Sequence, residues 1–361
     1  MGKILVAVAF YPDDKGNKRL YYTHVRNKYY QQEGLDVTVL NFSTDHHYNV
    51  DGIHVITLDE YKKCNDKYDI LICHAANIRN HYRFLKKYQS DFRKIVFFFH
   101  GHEIMHIKKY YPKPYSFKAR HYLFKSELVN IYDTFKLKLW RNFFLSDLNK
   151  IKLIFVSNWI KDVFLEETRI KAEYISDNSK VINNSIGAVF EKESYQIKTI
   201  KKYDFITIRN YLDDSKYAID LVMRDAKAHP EYKFCLIGKG SYFQYNILPK
   251  NVELVQRELS HKEMLKFLNK SYCGLMPTRE DTQGVMTCEM ATFGLPVITS
   301  NIDVCREIFA EMNNVFLASN SKDLTIYYSQ AVKAIPTKKN ERYFFKNTVK
   351  KEIDMLYRLS I

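Results

Sequence analysis

The sequence predicts an α/β protein of two domains, each a largely parallel sheet covered by helices. Three observations predict it. Apolar runs of strand length recur along the whole chain; most are continuous rather than alternating, as in strands buried on both faces; and charged, helix-compatible segments separate them, the alternation that marks βαβ units. A chain of 361 residues is long enough for two medium domains, each with its own core.

In the N-terminal half the expected strands are "KILVAVAF" (3–10), "DVTVLNF" (36–42), "IHVITL" (53–58), "DILICH" (69–74), "KIVFFFH" (94–100) and "KLIFVS" (152–157). A charged helix is expected between the first two, from Lys18 to Gly34. After a polar linker around "ESYQIKTIKKYD", a second series follows: "DFITIR" (204–209), "KFCLIG" (233–238), "VELV" (252–255), "CGLMP" (273–277), "PVITS" (296–300) and "NVFLAS" (314–319). "YAIDLVMRDAKAH" and "HKEMLKFLNK" read as helices between them, and "ERYFFKNTVKKEIDMLYRLS" as a terminal amphipathic helix that packs on either domain. The expected division is 1–187, 188–340 and a C-terminal helix 341–361.

Hydrophobic residues make up 46% and charged residues 27%, which excludes a disordered chain. No apolar run approaches the roughly 20 residues that span a bilayer. The N-terminal "MGKILVAVAFYPDD" lacks a small-residue cleavage site and reads as a first strand rather than a signal peptide. Six cysteines are scattered without a CxxC pair, so no zinc site or disulfide framework is indicated, and a cytoplasmic, reduced setting is expected. The net charge of +15 calls for an anionic partner: nucleic acid, a phosphorylated ligand or an acidic membrane surface.

In open α/β sheets ligands sit beyond the carboxyl ends of the strands. Arg209 ends an expected strand and Lys216 opens the next helix, where a bound anion relieves two cations facing a helix N-terminus. Both also read as loop surface charges. "LIGKG" places Gly238 and Gly240 at a strand end, allowing close backbone approach to a phosphate or base; a plain turn fits equally, and neither GxGxxG nor a P-loop is present. In "REDTQGVMTCEMATFGLPVITS" (279–300), Asp281 lies in a loop, Gln283, Gly284 and Val285 lead into a helix, and Glu289 stands about one turn inside it. Carboxylates suit sugar hydroxyls because each oxygen accepts hydrogen bonds; a capping Asp and an exposed helical Glu are the plainer reading.

His100 and His102 end a buried strand in "FFFHGHEI" (97–104), but H-x-H-E is not HExxH and no second ligand cluster supports a metal. One histidine suits a structural role and the other a hydrogen bond to substrate. From Met105 to Asn142, Lys108, Lys109, Lys113, Lys118, Arg120, Lys125, Lys136, Lys138 and Arg141 oppose only Glu127 and Asp133, with Phe135, Leu139, Trp140, Phe143 and Phe144 between them. That segment reads as a solvated insertion whose aromatics pack on the domain, or as a patch lying on anionic lipid. No RNP, helix-turn-helix or zinc-finger pattern supports nucleic acid.

In their order along the chain these segments resemble the retaining glycosyltransferases of the GT-B fold, glycosyltransferase family 4 (glycosyl transferases group 1). The family carries two Glu separated by seven residues, then a glycine and a "PV" strand; here the run is "DTQGVMTCE" followed by "MATFGLPVITS", with Asp281 at the first Glu. The resemblance implies two Rossmann-like domains facing each other across a cleft: an N-terminal acceptor-binding domain and a C-terminal nucleotide-sugar-binding domain. It implies Asp281 and His100 or His102 near the donor sugar, Glu289 on the ribose, Arg209 and Lys216 on the pyrophosphate, and "LIGKG" near the base. "VINNS" (181–185) matches the inter-domain stretch, and Gly16 is the single glycine where the family often has two on its acceptor side.

The implied activity is a metal-independent, hexosyltransferase-type transfer, without cofactor, from a UDP- or GDP-sugar to a lipid-linked saccharide. The implied setting is assembly of a bacterial surface polysaccharide such as capsule or O-antigen, at the inner face of the cell membrane. Two alternatives stand beside it: a GT-B nucleotide-sugar epimerase, and a non-catalytic basic protein binding membrane or nucleic acid.

Overall fold

The computed structural model describes residues 2–13, 19–64, 66–119, 122–336 and 338–360, with the side chains of 122–125 outside the description. The chain forms two compact units. One combines Met1–His106, Ile131–Asn183 and Thr348–Ile361; the other combines Ile107–Asn130 with Asn184–Asn347.

The first unit contains an eight-stranded sheet: β1 (Ile4–Val8), β2 (Val37–Asn41), β3 (Tyr48–Val50), β4 (Ile53–Ile56), β5 (Ile70–His74), β6 (Lys94–Phe99), β7 (Ile151–Phe155) and β8 (Ser179–Val181). Their order is β3-β4-β2-β1-β5-β6-β7-β8, parallel throughout except between β3 and β4. Every residue of β1 and β5 is buried, which is why those runs are apolar without alternation. Neither β3 nor β8 is among the strands expected from the sequence. β3 pairs back on β4 through an Asp51-Gly52 turn with both residues at positive φ, the geometry an Asp-Gly hairpin favours.

Helix α1 (Tyr21–Gln32) lies within the segment expected to be helical. Helix α2 (Tyr122–Ser146) occupies much of the basic, aromatic segment, and the structure divides that segment's residues sharply. Trp140, Phe143 and Phe144 are buried, with ring centroids 5.6, 6.0 and 5.1 Å from Phe97 of β6. Lys136 is buried as well. Its ammonium donates to the Asp133 carboxylate at 2.7 Å and to the carbonyls of His102 and Met105 at 2.9 and 3.0 Å, so it anchors the loop after β6. Ile131, Tyr132, Phe135 and Lys138 of the same helix remain exposed. Arg120 and the Lys125 side chain lie outside the described residues.

The second unit contains β9 (Tyr203–Tyr211), β10 (Phe234–Lys239), β11 (Val252–Val255), β12 (Ser271–Met276), β13 (Val297–Ser300) and β14 (Val315–Ala318), ordered β11-β10-β9-β12-β13-β14 and parallel throughout. Counted from β9 this is the doubly wound order of dinucleotide-binding sheets, and chain direction across the sheet reverses between β9 and β12. Helices α3 (Ile219–Ala228) and α4 (Val285–Phe293) follow those two strands. Two Rossmann-like α/β units therefore make up the chain.

The terminal helix α5 spans Val349–Ser360, shorter than the sequence suggests. Tyr343, within the expected helix, is instead fully buried in the second unit and donates its hydroxyl to the Ile308 carbonyl at 2.6 Å. α5 packs on α1 through buried Glu352, whose carboxylate takes the Arg26 guanidinium at 3.2 Å and the Tyr30 hydroxyl at 2.8 Å. Among the described residues no helix is long and apolar enough to cross a membrane.

Trp140→Ala removes the ring that packs against Phe97 and Phe144. It is expected to cost about 3–5 kcal/mol, read as a lowered urea midpoint at unchanged m-value.

Candidate active site

The second sheet sets the site, because the ends of β9 and β12 flank its switch point. Arg209 lies near the end of β9 with its side chain buried. One Nη2–H donates to the Pro277 carbonyl at 2.6 Å, just past β12, and the guanidinium carbon lies 5.0 Å from the Tyr217 ring centre. Its Nε–H is sealed from solvent with no acceptor among the described residues. Burial lowers the guanidinium's affinity for its proton, against the charge of Asp281.

Lys216 sits in the short turn before α3, its ammonium 5.0 Å from the Tyr217 ring centre and 5.3 Å from that of Tyr111. Burial works to depress it, but Tyr217, Asp214, Glu280 and Asp281 together hold it above its ordinary pKa. The two cations thus share one aromatic ring, that of Tyr217.

The loop from Pro277 to Gly284 is stitched to that turn. Arg279 donates its amide to the Lys216 carbonyl at 2.7 Å and forms a two-pronged pair with Asp220 at 2.8 and 2.6 Å. The Thr278 hydroxyl reaches the carbonyls of Lys216 and Glu280 at 3.0 and 2.8 Å. Asp281 closes the loop: its Oδ1 accepts the amides of Thr282, Gln283 and Gly284 at 2.8, 3.2 and 2.8 Å. Gly284 then turns the chain at φ +68° into α4. The first-turn amides of α4, beginning at Val285, have no intrahelical acceptors and form the positive end of its dipole.

Gln283 is wholly engaged in structure, its side-chain amide exchanging hydrogen bonds of 2.6 and 2.9 Å with the backbone of Asn184. Glu289, one turn into α4, is buried; its Oε1 accepts the Gly187 amide at 2.9 Å, and His261 Nε2 lies 3.9 Å away. A β-carbon at Gly187 would come within 2.5 Å of His261, so glycine is required for this approach. Burial pushes the Glu289 carboxyl up to about 7, only partly offset by the Gly187 amide.

The "LIGKG" turn packs on the same strand ends. A β-carbon on Gly238 would stand 2.3 Å from the Arg209 carbonyl, and one on Gly240 would stand 2.5 Å from Asp213 Oδ1. Asp213 holds the turn by accepting the Ser241 amide and hydroxyl at 2.8 and 3.0 Å. Both glycines therefore have packing reasons to be glycine.

The structure brings Arg209, Lys216, Gly238, Gly240, Asp281, Gln283, Gly284, Val285 and Glu289 to the carboxyl end of one sheet. His100 and His102 belong to the other unit. His100, at the end of β6, has Nε2 3.1 Å from Nδ1 of buried His74 and its ring 4.5 Å from that of Tyr22. Burial, aided by the charges of Arg26 and His102, pushes its pKa well down, so it is neutral at physiological pH. His102 is exposed, with Nδ1 3.7 Å from Glu103 Oε2. Gly16 lies outside the described residues.

Sequence reasoning missed five contributors. Tyr217 supplies the ring beneath both cations, and Asp213 the clasp on the glycine turn. From the 107–119 segment, Tyr111 faces Lys216, while the Tyr115 hydroxyl donates to Asp220 at 2.9 Å. The fifth is Glu280, buried beside Asp281 and Lys216. Asp213 and Glu280 adjoin residues that the motif reading had singled out; nothing local in the sequence signals the tyrosines of the 107–119 segment.

Residues 208–334 match the family model described as Glycosyl transferases group 1. That span contains Arg209, Lys216, Gly238, Gly240, Asp281, Gln283, Gly284, Val285 and Glu289. No curated protein matches the chain in sequence. Among solved structures, the chain is similar to the sucrose-phosphate synthase of Thermosynechococcus elongatus at 10% identity and a TM-score of 0.68, covering 99% of this chain and 98% of that one. It is similar to Anabaena HepE, solved in complex with UDP and glucose, at 11% identity and 0.68, covering 99% and 100%. WaaG, a glycosyltransferase involved in lipopolysaccharide biosynthesis, matches at 11% identity and 0.61, covering 98% and 99%. At such identities the likeness shows the fold, two Rossmann-like domains as in GT-B glycosyltransferases.

The raised Glu289 carboxyl makes stability depend on pH in a defined direction. Between its ordinary 4.5 and about 7, the folded state keeps a proton that the unfolded chain has released, so stability falls as pH rises through that window. Glu289→Gln is expected to remove this slope, gaining up to roughly 3 kcal/mol on the wild type between about pH 5 and about pH 8 in chemical unfolding. Parallel pH curves for the two proteins would show that Glu289 is not held protonated.

Proposed function

We propose that the chain is a retaining glycosyltransferase that moves a sugar from a UDP- or GDP-sugar to a lipid-linked saccharide in assembly of a bacterial surface polysaccharide. The observation that carries the reading is the convergence of Arg209, Lys216, the α4 N-terminus and Glu289 at the switch point of a sheet that matches the glycosyl transferases group 1 model.

Departure of a nucleoside diphosphate builds negative charge while the anomeric carbon becomes oxocarbenium-like. Arg209 and Lys216 lie in a poorly solvated site where charge is weakly screened, and the α4 amides add a fixed dipole. Removal of one such fixed donor costs about 10²–10³ in rate. With these groups the charge is met without a metal. Glu289 Oε1 is held by Gly187, leaving Oε2 for the ribose. Asp281 has Oδ1 committed to the loop amides, and Oδ2 is the atom left for the sugar. The acceptor is taken by the first unit, and its proton passes to the leaving phosphate on the same face of the sugar, which retains anomeric configuration. The outward row of Ile131, Tyr132 and Phe135 with Lys138 on α2 supports contact with an anionic membrane at the inner face of the cell membrane.

A thermal-shift panel of UDP, GDP, ADP and CMP, with and without chelator, tests the donor site. One nucleotide at about 100 times its Kd is expected to add about 2.7 kcal/mol to the wild type, chelator or not, and far less to Glu289→Ala. Lys216→Ala is expected to lower the transfer rate about 10²–10³-fold. A panel in which no nucleotide stabilises the wild type would sink the reading. Stabilisation that vanishes with chelator would refute metal independence alone.

A further inference from the structure

The stretch 107–119 lies in sequence between β6 and β7 of the first sheet, yet it groups with the second unit. Aromatic packing fastens it there. Phe117 stacks on Tyr245 with ring centres 4.7 Å apart, and Tyr115 meets Tyr242 edge-on at 5.0 Å. Two further contacts converge on one residue, Lys216. Tyr111 reaches its side chain: the ammonium lies 5.3 Å from the centre of that ring and 5.0 Å from that of Tyr217. A ring face attracts a cation without bringing a negative charge, so it holds the ammonium without neutralising it.

Tyr115 reaches the backbone of Lys216 through a relay. Its hydroxyl donates to Asp220 Oδ1 at 2.9 Å and accepts the Asp220 amide, in the first turn of α3, at 3.4 Å. The same carboxylate takes the Arg279 guanidinium at 2.8 and 2.6 Å. Arg279 in turn donates to the Ser215 carbonyl at 2.9 Å through its side chain and to the Lys216 carbonyl at 2.7 Å through its amide. A phenylalanine at 115 would pack equally well on Tyr242; only the hydroxyl reaches Asp220. Pro112 and Pro114 stand between the two tyrosines and fix φ there, so the arm that carries both is stiff.

We propose that residues 107–119 are a strap that positions Lys216 for an anion, with Tyr111 and Tyr115 as its positioning residues. The inference rests on the glycosyltransferase reading, in which that anion is the leaving diphosphate. A lysine side chain has several rotatable bonds and loses their freedom when it grips a ligand. Holding its backbone and its ammonium beforehand lowers that entropic cost at binding and in the transition state.

Calorimetric titration with UDP and with GDP tests the strap in wild type, Tyr111→Leu, Tyr115→Phe, Lys216→Ala and each tyrosine variant combined with Lys216→Ala. For a nucleotide that binds the wild type, Tyr111→Leu is expected to weaken affinity about tenfold and Tyr115→Phe at least about threefold. Tyr111→Phe, which keeps the ring, is expected to recover most of the loss. On top of Lys216→Ala, either tyrosine substitution is expected to add less than about twofold. Full additivity with Lys216→Ala overturns the assignment, as does an unchanged affinity in Tyr111→Leu or in Tyr115→Phe. Hydrogen exchange without nucleotide reads the strap apart from the reaction. Amides of 214–220 are expected to exchange faster in Tyr115→Phe than in the wild type, with β1 and β5 of the first unit unchanged. Unaltered exchange at 214–220, or exchange raised equally in β1 and β5, overturns the assignment even where nucleotides bind. Faster exchange confined to 214–220 in a protein that binds no nucleotide removes the glycosyltransferase reading and leaves the strap's hold on Lys216 standing.

Discussion

The second unit is organised around one desolvated charge. Arg209 carries its guanidinium into the protein at the end of β9, and a buried charge is tolerated only when its surroundings compensate it. The Pro277 carbonyl, the Tyr217 ring and the charge of Asp281 all turn toward it. They come from two connections: the turn before α3 supplies Tyr217, and the loop between β12 and α4 supplies Pro277 and Asp281. Holding them in place requires those connections to be fastened to one another, which the Arg279–Asp220 pair and the Thr278 hydroxyl do. The geometry of the strand ends follows from keeping that cation in place, and the unmet Nε is what remains for a ligand.

Aspartate where the family pattern has a glutamate changes what that position does. The shorter side chain stays over its own loop and collects three amides on Oδ1, an arrangement that a longer arm reaching outward forgoes. It fixes the entry into α4 and thereby places Gln283 and Glu289, which grip Asn184 and Gly187. Position 281 is thus a pin of the loop. The carboxyl with an unfilled, buried oxygen is its neighbour Glu280.

The strands of both sheets were legible because burial on two faces leaves unbroken apolar runs, as in β1 and β5. β3 and β8 were not, since each is three residues long, partly exposed and without such a run. In the second unit the residues singled out at the ends of expected strands do lie at the carboxyl end of the sheet, because the strands that precede them were legible. What stayed hidden depends on distant packing. Tyr111 and Tyr115 reach Lys216 and Asp220 across about a hundred residues of chain, a pairing no local pattern encodes. Lys136 reads as a solvated charge of a basic segment, whereas the fold uses it as an anchor; Trp140 is core, as the reading in which the segment's aromatics pack on the domain has it. A helix carrying both cations and aromatics is ambiguous until one of its faces acquires a neighbour.

The charges at the strand ends are segregated in a way that net charge alone does not convey. On one side Arg209 and Lys216 stay cationic, Lys216 because surrounding acidic groups outweigh its burial. On the other, Glu280 and Glu289 are driven toward neutrality by desolvation. An incoming diphosphate would reinforce both tendencies, since negative charge favours protonated carboxyls and ammonium alike. Two carboxyls driven toward neutrality beside two cations leave charged and uncharged donors side by side at the strand ends. Were both carboxyls ionised, they would cancel the cations and repel the diphosphate. Burial of Glu280 and Glu289 therefore keeps the positive charge of Arg209 and Lys216 from being cancelled by their acidic neighbours.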